Sequence, residues 1–237
     1  MRSRWAKYWY LGPAVVVIMA TITYPLLSAL VTSFREWQLN ESPEPRGFVG
    51  LENYRRVIQD SGFWNSVEVT VLYSVISVSL TMVLALAIAL VLQGPGKLKA
   101  FAKTTLILPY AVAPALKGFS WRFMLNENYG IYDILADRLL PFTRGIVWLG
   151  EPFWALFSIA LSEVWGWAPL IALMFIGALG SIDPEVQEAA RVDGANRLQL
   201  FLRITLPLLA PVLLVAMLLK TIFSLKLIDQ VVTMTSG

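Results

Sequence analysis

Glu188-Ala189-Ala190-Arg191-Val192-Asp193-Gly194, followed after nine residues by Ile204-Thr205-Leu206-Pro207, is a small, charged, glycine-punctuated stretch between two long apolar runs. Asp183-Pro184-Glu185 just before it is a helix start. Asp183 can cap free backbone N–H groups, Pro184 suits the first helical position, and Glu185 favours the positive end of the helix. The helix is predicted to run through Gln187, Glu188, Ala189 and Ala190, and Gly194 to end it in the left-handed conformation. A second short helix fits Ala195 to Leu202, and Ile204-Thr205-Leu206-Pro207 leads into the next apolar run. Ala189-Ala190 lets another surface come close, Glu188 offers a hydrogen-bond acceptor, and Leu198, Leu200, Phe201 and Leu202 leave apolar surface. Two readings follow from these residues alone. One is a folded docking knob that moves as a rigid unit when a partner grips it. The other is an interfacial amphipathic loop with Gly194 as a plain turn.

The flanking runs fix the fold class. Of 237 residues, 57% are hydrophobic and 15% charged, against about 45–50% and about 25% in soluble domains. A helix needs about 20 mostly apolar residues to cross a bilayer core. Five segments meet that length, near 11–34, 67–92, 104–124, 153–179 and 204–225. Alternating strand patterns are absent, which argues against a β-barrel. The expected fold is an all-α polytopic transmembrane helical bundle forming a single domain over 1–237, with a cytoplasmic loop at about 181–203. Arg2, Arg4 and Lys7 precede the first run, but that run is too long for a signal peptide and no small-residue cleavage site follows, so it reads as a retained anchor helix.

Basic residues orient the bundle. Arg2, Arg4 and Lys7, then Lys97, Lys99 and Lys103, then Arg191, Arg197 and Arg203 alternate so as to share one side. By the positive-inside rule that side is the cytoplasm. The loops from Arg35 to Ser66 and Leu125 to Pro152 take the other side, with Trp37, Trp64, Trp121, Trp148 and Trp154 near the predicted interfaces. The fifth run then exits outward, so a sixth helix is expected beyond Gly237.

Cysteine and histidine are both absent. Thiolate and zinc sites, Ser-His triads and histidine proton relays are therefore unavailable, and no metal site is expected. Gly94-Pro95-Gly96-Lys97 lacks the spacing of a phosphate loop, and Leu98 stands where a hydroxyl residue is needed. Lys117, Glu163 and Lys220 fall inside predicted spans, where a charge costs about 2.5–3.5 kcal/mol. They are candidates for a polar solute path or gate, with Glu163 paired to one lysine. The alternative is a structural ion pair, or a lysine snorkelling from a helix end. A basic path suits an anionic solute, whereas a neutral oligosaccharide favours aromatic platforms. Trp165 and Trp167 can serve as stacking faces or as packing residues. Gly166, Pro169 and Gly177 in the fourth run, with Pro109 and Pro114 in the third, permit kinks or close helix contacts.

The spacing at Glu188, Ala189, Ala190, Gly194, Ile204, Leu206 and Pro207, with Asp193-Gly194-Ala195, resembles the EAA loop of permease subunits in bacterial type I ABC importers, carbohydrate-uptake branch. Leu108-Pro109-Tyr110, Trp121-Arg122-Phe123, Asn126 with Tyr129-Gly130, Gly50-Leu51-Glu52-Asn53-Tyr54, and Lys226-Leu227-Ile228-Asp229 with Thr233 to Gly237 resemble that branch too. The family continues with a further Gly-Pro turn and a final helix. The resemblance implies a multi-pass subunit of the bacterial inner membrane with its N-terminus in the cytoplasm. It implies a sugar or a polyol or glycerol phosphate as solute. The implied partners are a second permease, two ATPase subunits carrying ATP and Mg, an extracellular solute-binding protein and the lipid bilayer, with no nucleic acid. The chain itself would bind no cofactor and catalyse nothing. From the residues alone, an ion-gradient transporter or a membrane scaffold without a pathway remain the alternatives.

Overall fold

Prolines, glycines and capping side chains divide a nearly uniform apolar chain into helices. The computed structural model describes residues 6–38, 40–139, 143 and 145–235. Arg2, Arg4, Ser236 and Gly237 lie outside the described residues, as does the Lys7 side chain. Among the described residues the fold is all-α, and the one extended pairing is an isolated bridge between Arg35 and Phe48. Packing divides the chain into two units, 1–68 and 69–237.

The first unit opens with α1 (Ala6–Ile18), which passes through a π-helical turn at Met19–Thr23 into α2 (Tyr24–Ser33). The short α3 (Glu52–Gln59) follows, and Asp60 then accepts the Gly62 N–H at 2.8 Å to cap the start of α4 (Ser61–Leu92). At about 1.5 Å per residue, the 32 residues of α4 outrun a bilayer core. It stops before Gly94 and Gly96, both at positive φ. Lys99 and Lys103, read above as orientation signals, donate to the Gln93 and Gly94 carbonyls at 2.6 and 3.2 Å and so close the helix end.

Helices long and apolar enough to cross a membrane run over Tyr8–Ser33, Ser61–Leu92, Pro152–Gly180 and Arg197–Leu225. They match four of the five expected runs. The run 104–124 differs, being cut into α5 (Lys97–Thr105), α6 (Leu108–Ala111) and α7 (Pro114–Met124). Val112 and Ala113 are extended, with ψ of 127° and 137°. The cause is Pro114, whose ring excludes the helical conformation from the residue before it.

The second unit centres on α9 (Pro152–Gly180), reached through α8 (Ile131–Leu139). Of the four long helices α9 is the most buried. Ser77, Thr81, Ala85 and Ala89 form a small-residue row on α4, which lets backbones approach closely. Ala85 and Ala89 join Val164, Ala168, Ile171, Ala172, Phe175 and Leu179 of α9 in one core. Leu209 and Ala216 of α12 (Leu206–Leu225) complete it. Trp121, expected near an interface, packs inward with Leu125, Leu156 and Met234.

The closing helix α13 (Asp229–Thr235) lies against α7 at Gly118, where an added Cβ would overlap the Thr233 hydroxyl. Gly118→Ala is expected to destabilise the chain by about 1–3 kcal/mol, as overpacking does. Adding Thr233→Ala should restore most of the loss. Thermal unfolding in detergent checks both, and an unchanged midpoint in the single variant would contradict the close contact.

Candidate functional site

Two sites emerge, a loop beyond the spans and a charged cluster within them. In the loop, the Asp183 carboxylate accepts the Glu185 N–H at 2.9 Å, and Pro184 opens α10 (Pro184–Val192). Gly194 has φ +83°. The Ala195 N–H reaches the Ala190 carbonyl at 2.9 Å and the Gly194 N–H reaches Arg191 at 3.1 Å. Those two bonds are the glycine-closed helix end that satisfies carbonyls left free by the last turn. Glu188, Ala189, Asp193 and Gly194 are exposed, and Ala190 is half-buried.

The second short helix is shorter than expected. It is α11 (Arg197–Leu200), and it runs through a π-helical turn at Phe201–Thr205 directly into α12. Sequence reasoning missed its reciprocal cap. Asn196 accepts from the Gln199 N–H and the Gln199 side chain accepts from the Asn196 N–H, each at 2.9 Å. The signal was present as Asn-x-x-Gln. Pro207 lacks the N–H that would reach back to Arg203, which favours the widened turn. Within that turn Ile204 is half-buried and Thr205 buried, and Leu206 beyond it is half-buried. Val192, Leu198 and Leu202 are exposed, so the loop presents apolar surface as well as charge.

The second site joins three helices. Lys117 of α7 donates to one oxygen of Glu163 on α9 at 2.6 Å, and Lys220 of α12 donates to the other at 3.0 Å. The pairing expected with one lysine is made with both. Exposures are 6% for Lys117, 3% for Glu163 and 0% for Lys220. Gly166 makes room, since a Cβ there would come within 3.0 Å of the Lys117 ammonium. Lys220 also sits 5.5 Å above the Trp167 ring, a cation–π arrangement.

Lys117 and Glu163 border a cavity of about 350 Å³, with Tyr110, Trp167 and Phe223 as aromatic walls and Lys226 and Asp229 at its margin. Trp167 meets Tyr110 edge-on at 5.1 Å and Phe223 at 4.7 Å. Val112 and Ala113, the break in the third run, line it as well. The proline that interrupts the helix thus also lines the chamber. Trp165 is on another side of α9, 6.5 Å from Trp121 and in an apolar groove with Tyr132 and Trp148. The structure brings Lys117, Glu163 and Lys220 together and leaves Trp165 apart, and Trp167 is the tryptophan beside the charges. Gln230 of α13 is fully buried with neither amide atom hydrogen-bonded among the described residues.

Comparison with known proteins gives concordant results. Residues 1–237 match the family described as binding-protein-dependent transport system inner membrane component. The chain is similar to the trehalose/maltose transport system permease protein MalF of Thermococcus litoralis, at 35% identity over 239 residues, covering 100% of this chain and 80% of the relative. It is similar to the sulfoquinovosyl glycerol transport system permease protein SmoG of Agrobacterium fabrum, at 32% over 227 residues, covering 96% and 73%. In fold it resembles a chain of a bacterial ABC transporter involved in the import of the acidic polysaccharide alginate. That match has a TM-score of 0.75 at 22% identity and covers 94% and 74%.

Proposed function

The chain belongs to the inner membrane components of binding-protein-dependent transport systems, and on that premise we propose how its two sites divide the work of an ABC importer permease. The charged cluster and its cavity form part of the pathway for a sugar or a related polyol or glycerol phosphate. The 183–207 loop is the grip through which a separate ATPase subunit, holding ATP and Mg, moves α12. A second permease completes the pathway, and an extracellular binding protein delivers the solute. The N-terminus and the loop lie on the cytoplasmic side.

The observation that carries the pathway reading is Glu163, ionic partner of two lysines on different helices, at the wall of an aromatic-lined cavity between spans. Charges at that depth cost several kcal/mol and are retained mainly where they line a route or hold helices together. Aromatic faces suit the apolar faces of a sugar, and the charged groups suit its hydroxyls or an anionic substituent. Solute names among the relatives, trehalose/maltose and sulfoquinovosyl glycerol, are of that chemical kind.

The test is uptake by the assembled transporter. Lys117 is the lysine at the cavity wall, whereas Lys220 is wholly buried behind it. Lys117→Gln is expected to lower uptake of a phosphorylated solute severalfold and that of a neutral sugar much less. Equal losses for both solutes would confine Lys117 to packing.

A further inference from the structure

A strip of exposed apolar side chains runs along α3 and the turn before it. Leu51, Tyr54 and Ile58 recur at helical spacing on one face, and Leu51 and Ile58 are 68% and 62% exposed. Phe48, 78% exposed, extends the strip. Glu52, Arg56 and Gln59 occupy the opposite face, where Arg56 pairs with Glu52 at 3.4 Å. Arg55, one helical turn beyond Leu51, borders the apolar strip and makes no side-chain bond among the described residues.

The position of α3 is fixed at both ends against spanning helices. Asn53 donates to the carbonyls of Ser33 and Arg35 at 2.9 and 2.8 Å, and the Tyr54 and Ser33 hydroxyls meet at 2.7 Å. Phe34 packs on Tyr54 with ring centroids 5.7 Å apart. These contacts tie α3 to the last turn of α2. At its other end the Trp64 indole N–H donates to the Ile58 carbonyl at 2.8 Å, which ties it to the first turn of α4. The apolar strip therefore continues onto exposed Phe63 and Trp64 at the end of a span.

We infer that α3 is a membrane-interface helix whose Phe48–Leu51–Ile58 strip lies in the boundary between acyl chains and headgroups, with Arg55 at the level of the phospholipid phosphates. The height follows from the two tethers, since both reach the ends of helices that cross the membrane. The orientation follows from amphipathicity, because a helix with one apolar face buries that face at the headgroup boundary. The charge follows from Arg55, whose stem can run along the apolar edge while its guanidinium meets phosphate oxygens. A protein partner seated on the strip is the competing occupant.

The absence of cysteine allows a clean test. Single cysteines placed at Leu51, Ile58, Glu52 and Arg56 in the full chain would carry a nitroxide label. Reconstitution would use vesicles of phosphatidylethanolamine and phosphatidylglycerol, with Val83 on α4 labelled as the acyl-chain reference. Collision with oxygen, which partitions into lipid, is compared with collision with a water-soluble nickel chelate. The oxygen-to-nickel ratio is expected to be severalfold higher at 51 and 58 than at 52 and 56, approaching that of 83. Equal nickel contact on both faces would overturn the inference by placing α3 in water. Protection of 51 and 58 from both reagents would overturn it by placing protein on the strip.

Discussion

Glu163→Gln is expected to lower the stability of the chain by about 3–5 kcal/mol, the usual cost of removing one partner from a buried ion pair. Glu163 is the shared acceptor of Lys117 and Lys220, both almost wholly buried. Without its negative charge, two ammonium groups face each other in a medium that screens them poorly. Glu163→Gln with Lys220→Met should be less damaging than the single change, because only one unpaired charge is left inside. Lys117 retains access to the cavity and its polar margin. Thermal unfolding of the purified variants in detergent reads the effect. A single variant as stable as the unaltered chain would mean that the lysines find other partners and that Glu163 is not their hub.

Gly194→Val is expected to remove most ATP-coupled uptake while leaving the chain in the membrane. The Gly194 backbone has φ +83°, which a β-branched residue adopts only under strain. A Cβ there would meet nothing within 4 Å, so crowding contributes nothing and the cost is conformational. Strain of about 1–3 kcal/mol corresponds to roughly a five- to 150-fold smaller population of the intact turn. Gly194→Asn should keep much of the activity, since asparagine tolerates this conformation. Uptake by the assembled transporter in vesicles, with chain content measured in parallel, decides it. Full uptake by the valine variant would remove the turn from the coupling path.

Much of this was legible in the chain before its structure. Uninterrupted apolar length sufficed for α4, α9 and α12, and the Asp183-Pro184 start and Gly194 stop followed from local backbone chemistry. Hydropathy gave no sign of the break within 104–124, because it registers apolar content and not backbone continuity, although Pro114 carried the information. Three charges within spans were evident, but their meeting at one carboxylate depends on how α7, α9 and α12 pack, which no local pattern encodes. Which of Trp165 and Trp167 stands beside the charges is a question of helix phase. Gly166 and Trp167, three and four positions on from Glu163, share its side of the helix, while Trp165, two positions on, falls on the opposite side.

The π-helical turn at Phe201–Thr205 joins α11 to α12 without a break, so Arg197 to Leu225 is one rod. One end of that rod carries the exposed loop and the other carries Lys220. A π turn holds one residue more than the α turn it replaces, and each residue in an α-helix advances about 100° around the axis. The turn therefore works as an angular offset. It sets the compass bearing of the loop relative to the direction in which Lys220 faces Glu163. Relaxing it to α geometry would swing one end against the other by about a quarter of a turn, with little change in length. On the proposed coupling role, torque, more than push or pull, is the mechanical quantity such a rod would carry.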